Sequence, residues 1–193
     1  MCRTGGRWNV SGNGNQSCRD RFRSVRIRTV LASQSGANTE RGDNHTMLIG
    51  LPPLLGPDFL YTLRAMGHGD EIAIVDGNYP AQEHAKRLIR ADGHGLLAVL
   101  EAVLTVLPID MAVPDGIFRA SLNNDPAQKG PVHEAIDAIC LRMRPERPVR
   151  ALSGDALYPR IRSAHTIIAT GERALFSNVI LRKGVILPED RTA

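Results

Sequence analysis

Cysteine is scarce in this sequence, which excludes a fold built on disulfides. Among 193 residues the only cysteines are Cys2, Cys18 and Cys140. The number is odd, and the part of the chain with a regular hydrophobic pattern holds just one of them. Neither a disulfide framework nor a metal-binding cysteine pair is therefore predicted. This usage favours a reducing, cytoplasmic setting.

Long apolar runs and familiar cofactor motifs are also absent. No stretch approaches the ~20 apolar residues that a membrane-spanning helix requires. The sequence contains no GxGxxG, P-loop or HExxH motif, which hold dinucleotides, nucleoside phosphates and zinc. Nothing in these patterns indicates a membrane partner, a bound nucleotide or a metal.

Excess positive charge is confined to the first 46 residues. This stretch carries eight arginines against three acidic residues, whereas the rest of the chain has 16 basic and 17 acidic residues. A phosphate backbone is recognised by a basic surface. Because the rest of the chain is nearly neutral, no nucleic-acid partner is expected.

The same first 46 residues also differ from the rest in composition. They are rich in Gly, Asn, Ser and Arg and show no sustained apolar period, which predicts a disordered basic leader. Met47 opens a well-patterned region, so the leader is expected to be dispensable or not translated at all. The predicted organisation is a leader over 1–46 and one domain over 47–193.

The hydrophobic pattern after Met47 alternates between helices and strands. Helices are predicted over 57–66, 94–107, roughly 131–143 and 155–165, with Pro159 acceptable only in a first turn. Strands are predicted over 71–75, near 111–113, and over 116–122, 166–172 and 178–187, the last two joined by a turn as in a hairpin. Interleaved helices and strands predict a layered α/β sheet.

Polar residues cluster at two of the predicted strand ends, where ligand sites of α/β sheets gather. The first strand is flanked by His68, Asp70 and Asp76. Between the last two strands lie Glu172, Arg173 and Asn178. The residues alone predict a polar small-molecule site and nothing more specific.

His68 is the candidate proton donor of the first cluster. It follows the C-terminus of the first predicted helix, where the helix dipole favours an imidazolium. The alternative is a histidine that only hydrogen-bonds its own loop. Asp70 either orients the ring or is an ordinary turn acid, and Asp76 either accepts ligand hydroxyls or begins a turn.

Five short motifs together resemble the L-fucose mutarotase and ribose pyranase family. They occur in the family's order, and the resemblance covers residues 47–187. The first and fourth of them are more similar to the fucose branch than to the ribose branch. The motifs are MGHGDEI at 66–72, LIRADG at 88–93, LYPR at 157–160, TGER at 170–173 and NVILRKGV at 178–185.

The resemblance implies a three-layer α/β/α fold around a mixed sheet. It implies a ring-like homo-oligomer, a decamer in the family, with sites near subunit contacts. The implied activity is that of a cofactor-free and metal-free isomerase of carbohydrate metabolism. Such an enzyme interconverts the α and β anomers of L-fucose or a related aldose by acid/base ring opening and closure.

The same resemblance assigns roles to individual residues. His68 takes the catalytic acid/base position. Substrate-binding positions fall on Asp76 and on the segment Phe176, Ser177 and Asn178. Supporting positions are expected at Asp70, Tyr158 and Glu172.

Two departures from the family pattern bear on the choice of sugar. The family's tyrosine-glycine-asparagine reads Phe176, Ser177, Asn178 here, so one phenolic hydroxyl is missing. A family arginine falls on Gly154, with Arg150 close by. Two alternative functions stay open: a ribose-type pyranase, and a monosaccharide-binding module without catalysis.

Overall fold

The computed structural model describes residues 48–187 of the chain. The expectation of a disordered leader over 1–46 concerns residues outside this range. The described part contains five α-helices and six β-strands. The helices are α1 (Pro57–Ala65), α2 (Ala81–His84), α3 (Leu96–Val106), α4 (Pro131–Met143) and α5 (Gly154–Ser163). The strands are β1 (Glu71–Val75), β2 (Leu88–Ala91), β3 (Ile117–Ala120), β4 (Val149–Leu152), β5 (Thr166–Thr170) and β6 (Val179–Arg182).

The six strands form one mixed sheet in the order β2-β5-β1-β6-β3-β4. Strand β1 runs parallel to β5, and β6 is antiparallel to both of its neighbours, β1 and β3. Parallel strands carry helical crossovers, which cover both faces of the sheet. This explains why all residues of β1 after the first are fully buried.

Helices cover the two faces of the sheet unequally. Side chains of α1, α3 and α4 pack on one face, against residues that include Ile72 and Ile74 of β1. Side chains of α2 and α5 pack on the other, against residues that include Ala73 and Val75. Successive side chains of β1 therefore pack into hydrophobic cores on opposite faces of the sheet, because side chains alternate along a strand. The three-layer α/β/α arrangement expected from the resemblance is confirmed.

Strand β1 and helix α4 occupy the predicted ranges, and Pro108 follows α3 as expected. The short elements α2, β2 and β4 were not predicted, because four residues carry too little periodicity to be recognised. Residues 111–113 form bends instead of a strand.

Three further differences lie towards the end of the described residues, and the first is that β6 ends at Arg182 although the predicted strand continued to 187. Pro159 lies inside α5 and not in its first turn. The carbonyl that Pro159 leaves without a helical partner belongs to Asp155, and both residues are exposed, so water can bind it. Strands β5 and β6 are consecutive in sequence but do not pair, because β1 lies between them.

Candidate active site

Asp76 and Asn178 form a closed hydrogen-bonded unit where β1 ends and β6 begins. The backbone N–H of Asp76 donates to Oδ1 of Asn178 at 3.2 Å, and Nδ2 of Asn178 donates to Oδ2 of Asp76 at 3.3 Å. Both side chains are buried. The antiparallel register sets Ile74 opposite Val179, which brings the residues at these strand ends together.

Two backbone groups complete the coordination of the Asp76 carboxylate. The N–H of Asn78 donates to Oδ1 at 2.9 Å, and the N–H of Ser177 donates to Oδ2 at 3.2 Å. A carboxylate that accepts several N–H bonds is held in one orientation. Asp76 is therefore a hydrogen-bond acceptor held in place at the C-terminal end of β1. It also begins the turn that was one of the two roles considered for it from the sequence.

The segment before β6 reaches Asp76 through an unusual backbone conformation at Phe176. Its φ of 60° lies in the left-handed region, which residues other than glycine seldom adopt. The carbonyl oxygen of Phe176 accepts from Nε2 of the buried His133 at 3.0 Å. The Nδ1 atom of His133 accepts from the N–H of Gly130 at 3.0 Å, so Nε2 carries the hydrogen. Helix α4 thus fixes the loop that carries Ser177 and Asn178.

A cavity of about 310 Å³ opens beside Asp76 and Asn178. Its lining combines polar side chains with several aromatic rings. This combination suits a ligand with several hydroxyls on a small apolar ring face. The cavity is lined by Asp76, Asn78, Tyr79, Pro80, His84, Tyr158, Arg162, Leu175, Phe176 and Asn178.

The sequence-predicted residues near this cavity have distinct positions. Phe176 and Tyr158 line it, and the ring of Tyr158 stacks on Tyr79 with 6.0 Å between centroids. Ser177 contributes its backbone N–H. Its buried hydroxyl has no partner in the described part of the chain and does not line the cavity.

Glu172 braces the neighbouring loop. Its carbonyl oxygen accepts from the N–H of Gly77 at 2.9 Å, and its Oε1 accepts from the N–H groups of Arg173 and Ala174 at 2.9 and 3.0 Å. It lies outside the cavity lining. Glu172 therefore supports the turn that follows Asp76 from outside the cavity.

His68 lies at the other end of β1, in a second polar cluster. Its Nε2 is 3.1 Å from Oδ1 of Asp110, a carboxylate that is 1% exposed. Because an ionised carboxylate only accepts, Nε2 carries the hydrogen and Nδ1 is left without a partner in the described residues. The ring itself is 47% exposed, so Nδ1 is available to a ligand.

Asp110 belongs to a chain of charges at this end of the sheet. Its Oδ2 accepts from Nε of Arg182 at 2.8 Å, and Arg182 in turn lies 3.7 Å from Glu71. Burial alone would raise the pKa of Asp110. The Arg182 guanidinium, the N–H of Ala112 and the His68 ring together lower that pKa to about 2. Asp110 is therefore ionised at any physiological pH.

Asp70 does not hold the His68 ring. Its Oδ2 accepts from the backbone N–H of Gly67 at 2.8 Å, which closes the turn between α1 and β1. Of the two roles considered for Asp70 from the sequence, the structure shows the turn acid. The carboxylate beside His68 comes instead from Asp110, 42 residues further along the chain.

The two clusters are separated by the whole of β1. His68 precedes this strand and Asp76 follows it, and five strand residues span roughly 16 Å at about 3.3 Å per residue. A monosaccharide is much shorter than that span. Within one chain, a sugar bound at Asp76 therefore cannot touch His68.

Sequence reasoning missed Asp110, Tyr79, His84 and His133. Asp110 and His133 act across the fold and belong to no local motif. Tyr79 and His84 lie just after Asp76, and a tyrosine with a histidine five residues later was a signal that could have been followed. Their side chains meet with 3.0 Å between the Tyr79 hydroxyl oxygen and Nδ1 of His84.

Two further features concern only residues 48–187. No helix in this range is both long and apolar enough to cross a membrane. Nor does the range contain a group of three or more histidine, cysteine or acidic side chains placed to hold a metal ion.

Comparison with known proteins finds strong similarity over this part of the chain. Residues 49–186 match the model of the RbsD / FucU transport protein family. The chain is 40% identical over 145 residues to a fucose mutarotase of Homo sapiens, a match that covers 72% of this chain and 94% of that protein. It is 39% identical over 150 residues to a fucose mutarotase of Bos taurus, covering 75% of this chain and 97% of that protein.

Solved structures show the same fold. A fucose mutarotase from Streptococcus pneumoniae in complex with L-fucose superposes with a TM-score of 0.66 at 33% identity, covering 72% of this chain and 100% of that one. FucU from Bifidobacterium longum gives a TM-score of 0.66 at 34% identity, covering 72% and 99%. RbsD of Bacillus subtilis complexed with D-ribose gives 0.55 at 18% identity, covering 69% and 95%, and shares the fold.

Proposed function

This chain belongs to the RbsD / FucU transport protein family, and from that membership we propose that it is a mutarotase. It interconverts the α and β anomers of L-fucose or a closely related aldose. The observation that carries the proposal is the hydrogen-bonded pair of Asp76 and Asn178 in a cavity of monosaccharide size, in a chain about 40% identical to fucose mutarotases.

The proposed chemistry needs two proton transfers. Opening the hemiacetal requires a proton on the ring oxygen and removal of the proton from the anomeric hydroxyl. The open-chain aldehyde then rotates, and closure on its opposite face gives the other anomer. A positioned imidazole contributes roughly 10²–10⁴-fold to such a step. No nucleophile or redox group takes part in this reaction.

His68 is the proposed acid/base residue, and its Nδ1 is the atom that exchanges the proton. Asp110 holds the hydrogen on Nε2, so the exposed Nδ1 is the nitrogen that meets the sugar. The carboxylate also stabilises the imidazolium that forms when Nδ1 gains a proton. Asp110 acts through His68, which makes it a positioning residue.

The separation of His68 from Asp76 supports a site shared between two copies of the chain. A sugar held by Asp76 and Asn178 of one copy would meet the exposed His68 ring of another. Such an arrangement requires a homo-oligomer with the β1 N-terminal end of one subunit against the cavity of its neighbour. A ring repeats this head-to-tail contact and closes on itself, and a ring-like assembly, a decamer as in the family, is the proposed state.

Within the cavity, Asp76 and Asn178 are the proposed hydrogen-bonding partners of the sugar hydroxyls. The rings of Phe176 and Tyr158 pack against the apolar face of the sugar. Position 154 contributes no side chain: a Cβ there would lie 2.6 Å from Oδ1 of Asn124, which accepts from the N–H of Gly154 at 2.8 Å. An arginine at 154 would therefore require the Asn124 and Tyr158 side chains to shift, so in this chain the choice of sugar falls to the residues that line the cavity.

A reducing, cytoplasmic location is proposed from the cysteine within the described residues. Cys140 is a free, fully buried thiol in the core beside α3. Burial raises its pKa to about 12, so the thiol is unreactive at neutral pH. It serves as a small apolar core residue.

Magnetisation-exchange NMR on the anomeric protons of L-fucose, D-ribose and D-galactose tests the proposal. The expected result is exchange enhanced by the protein and fastest for L-fucose. Enhancement confined to ribose would replace the proposal with a ribose-type pyranase. Saturable binding of a sugar without enhanced exchange would indicate a monosaccharide-binding module instead.

A further inference from the structure

Tyr79 lines the same cavity as Asp76 and Asn178 and carries a phenolic hydroxyl. The residue belongs to the turn after β1, where its N–H donates to the carbonyl oxygen of Asp76 at 3.2 Å. Its ring contacts those of Tyr158 and His84, with centroid distances of 6.0 and 5.4 Å. Two neighbouring rings and a short backbone connection to Asp76 fix the position of this ring.

The Tyr79 hydroxyl keeps one hydrogen-bonding direction free. Its oxygen lies 3.0 Å from Nδ1 of His84. If Nδ1 accepts, the hydroxyl lone pairs remain for a ligand donor. If Nδ1 donates, the hydroxyl hydrogen remains for a ligand acceptor. Burial raises the pKa of Tyr79, an effect that the nearby Arg162 guanidinium partly offsets, so the phenol is protonated at neutral pH.

The segment before β6 offers no hydroxyl group to the cavity. Phe176 lines it with a plain ring, and its carbonyl oxygen is already bonded to His133. The Ser177 hydroxyl is buried outside the cavity lining. Of the other tyrosines in the described residues, Tyr61 is exposed on α1 away from the cavity, whereas Tyr158 lines the cavity and stacks on Tyr79.

We infer that Tyr79 is a specificity-determining residue, whose hydroxyl binds one hydroxyl of the sugar, and that His84 orients it. This inference rests on the proposed function of the same cavity. It accounts for the phenylalanine at 176, because the phenolic contact comes from the turn after β1 and not from the loop before β6.

The test compares Tyr79→Phe with wild-type protein and with Tyr61→Phe, a matched control outside the cavity. The KM and rate of anomer exchange are measured for L-fucose and for each of its monodeoxy derivatives. Tyr79→Phe is expected to raise the KM for L-fucose by roughly 2- to 12-fold, the range of one hydrogen bond. For the derivative that lacks the contacted hydroxyl, Tyr79→Phe and wild type should be equal.

A merely structural role for Tyr79 gives a different pattern. The loss would then be the same for L-fucose and every derivative, and that result would overturn the inference, as would no loss at all. The double variant Tyr79→Phe/Phe176→Tyr, which returns a phenolic hydroxyl to the cavity at position 176, is expected to recover part of the loss.

His84 is tested as a positioning residue by rescue with a conservative variant. His84→Leu removes the partner of the Tyr79 hydroxyl and should raise the KM for L-fucose. His84→Gln keeps a hydrogen-bonding group and should stay near wild type. Equal behaviour of the two variants would contradict the orienting role.

Failure of the proposed function is separable from failure of this inference. If the wild-type protein gives no enhanced exchange, the mutarotase proposal fails. The same series of variants and deoxy sugars is then compared by calorimetric affinity, and the selective loss with Tyr79→Phe is expected there too.

Discussion

The half-exposed ring of His68 rests on a buried carboxylate, with Nε2 3.1 Å from Oδ1 of Asp110. Arg182 binds the other oxygen of the same carboxylate at 2.8 Å. The ring is therefore held through Nε2, while Nδ1 has no partner in the described residues and the side chain is 47% exposed. A histidine that only capped the loop would not need a buried acid behind it, and this relationship favours the acid/base role.

His68→Ala is expected to lower anomer exchange by roughly 10²–10⁴-fold, the usual contribution of a general acid/base residue. The ring is half-exposed, so the melting temperature should change little. Exchange NMR and thermal unfolding measure the two effects. His94→Ala, at an exposed histidine, is the matched control and should behave as wild type. A folded His68→Ala protein with wild-type exchange would contradict the role of His68.

Asp110→Asn should reduce exchange less than His68→Ala does, since an amide can pair with either tautomer of the ring. The same substitution should also change how the free energy of unfolding depends on pH. In the folded protein the pKa of Asp110 is lowered to about 2, so its ionised form stabilises the fold above the ordinary pKa near 3.8. That contribution disappears as the pH falls from 3.8 towards 2.

Urea unfolding of wild type and Asp110→Asn between pH 2 and 5 measures this effect. The wild type should be the more stable protein at pH 5, and the two curves should converge as the pH falls. Asp137, whose pKa is also lowered, titrates in both proteins and cancels in the comparison. A stability difference that stays constant over the range would show that Asp110 has no such linkage.

His133 is expected to make the protein less stable below neutral pH. Burial lowers its pKa, and Arg119 adds to this, while the hydrogen bond to the Phe176 carbonyl and the nearby Asp137 act the other way. The unfolded chain therefore binds a proton near pH 6.5 that the folded chain binds only at lower pH. The contribution of His133 to the free energy of unfolding is therefore fully present above pH 6.5. It is lost as the pH falls from 6.5 towards the lower pKa of the folded protein.

The matched variants for this prediction are His133→Gln and His133→Phe. His133→Phe leaves the Phe176 carbonyl without its donor and should destabilise the fold by about 1–3 kcal/mol at pH 7.5. The same substitution should also reduce the loss of stability between pH 6.5 and 5. Part of that loss should remain, because the pKa of His165 is lowered as well. His133→Gln should flatten the decline while retaining more stability. An unchanged slope in both variants would exclude His133 as its source.

The contrast between β1 and Asp110 shows what could be predicted from the sequence. Strand β1 has five residues, with a charged residue at its start and Asp76 just beyond its end. Its burial and the polar residues at its ends could therefore be predicted from the local sequence. Asp110 reaches His68 because both of their segments pair with the chain just after β6. Ile109 forms a bridge with Lys183, and the N–H of Gly69 donates to the carbonyl oxygen of Lys183. No local pattern encodes a contact over 42 residues.

The order of the strands was beyond local reasoning for a related reason. Strands β5 and β6 follow each other along the chain, and a short turn between them predicts a hairpin. In the structure β1 lies between them instead. This arrangement pairs both edges of β1 with neighbouring strands and leaves both of its faces covered. This insertion also sets Asp76 beside Asn178 and so creates the cavity.

The sharing of each site between two subunits can be tested by complementation. His68→Ala and Asp76→Asn are each expected to be inactive alone, the second because an amide cannot accept all the N–H bonds that the Asp76 carboxylate receives. Unfolding the two variants together and refolding them in equal amounts gives mixed oligomers. If His68 and Asp76 of one site come from different chains, random mixing should restore roughly a quarter of wild-type exchange.

The matched control mixes wild-type chains with the double variant His68→Ala/Asp76→Asn under the same conditions. A site within one chain would leave half of the sites intact there and none in the mixture of single variants. A shared site leaves roughly a quarter intact in both mixtures, since each site needs one intact residue from each of two chains. Equal activity of the two mixtures, measured by exchange NMR, is the expected outcome, and an inactive mixture of single variants beside a half-active control would contradict it.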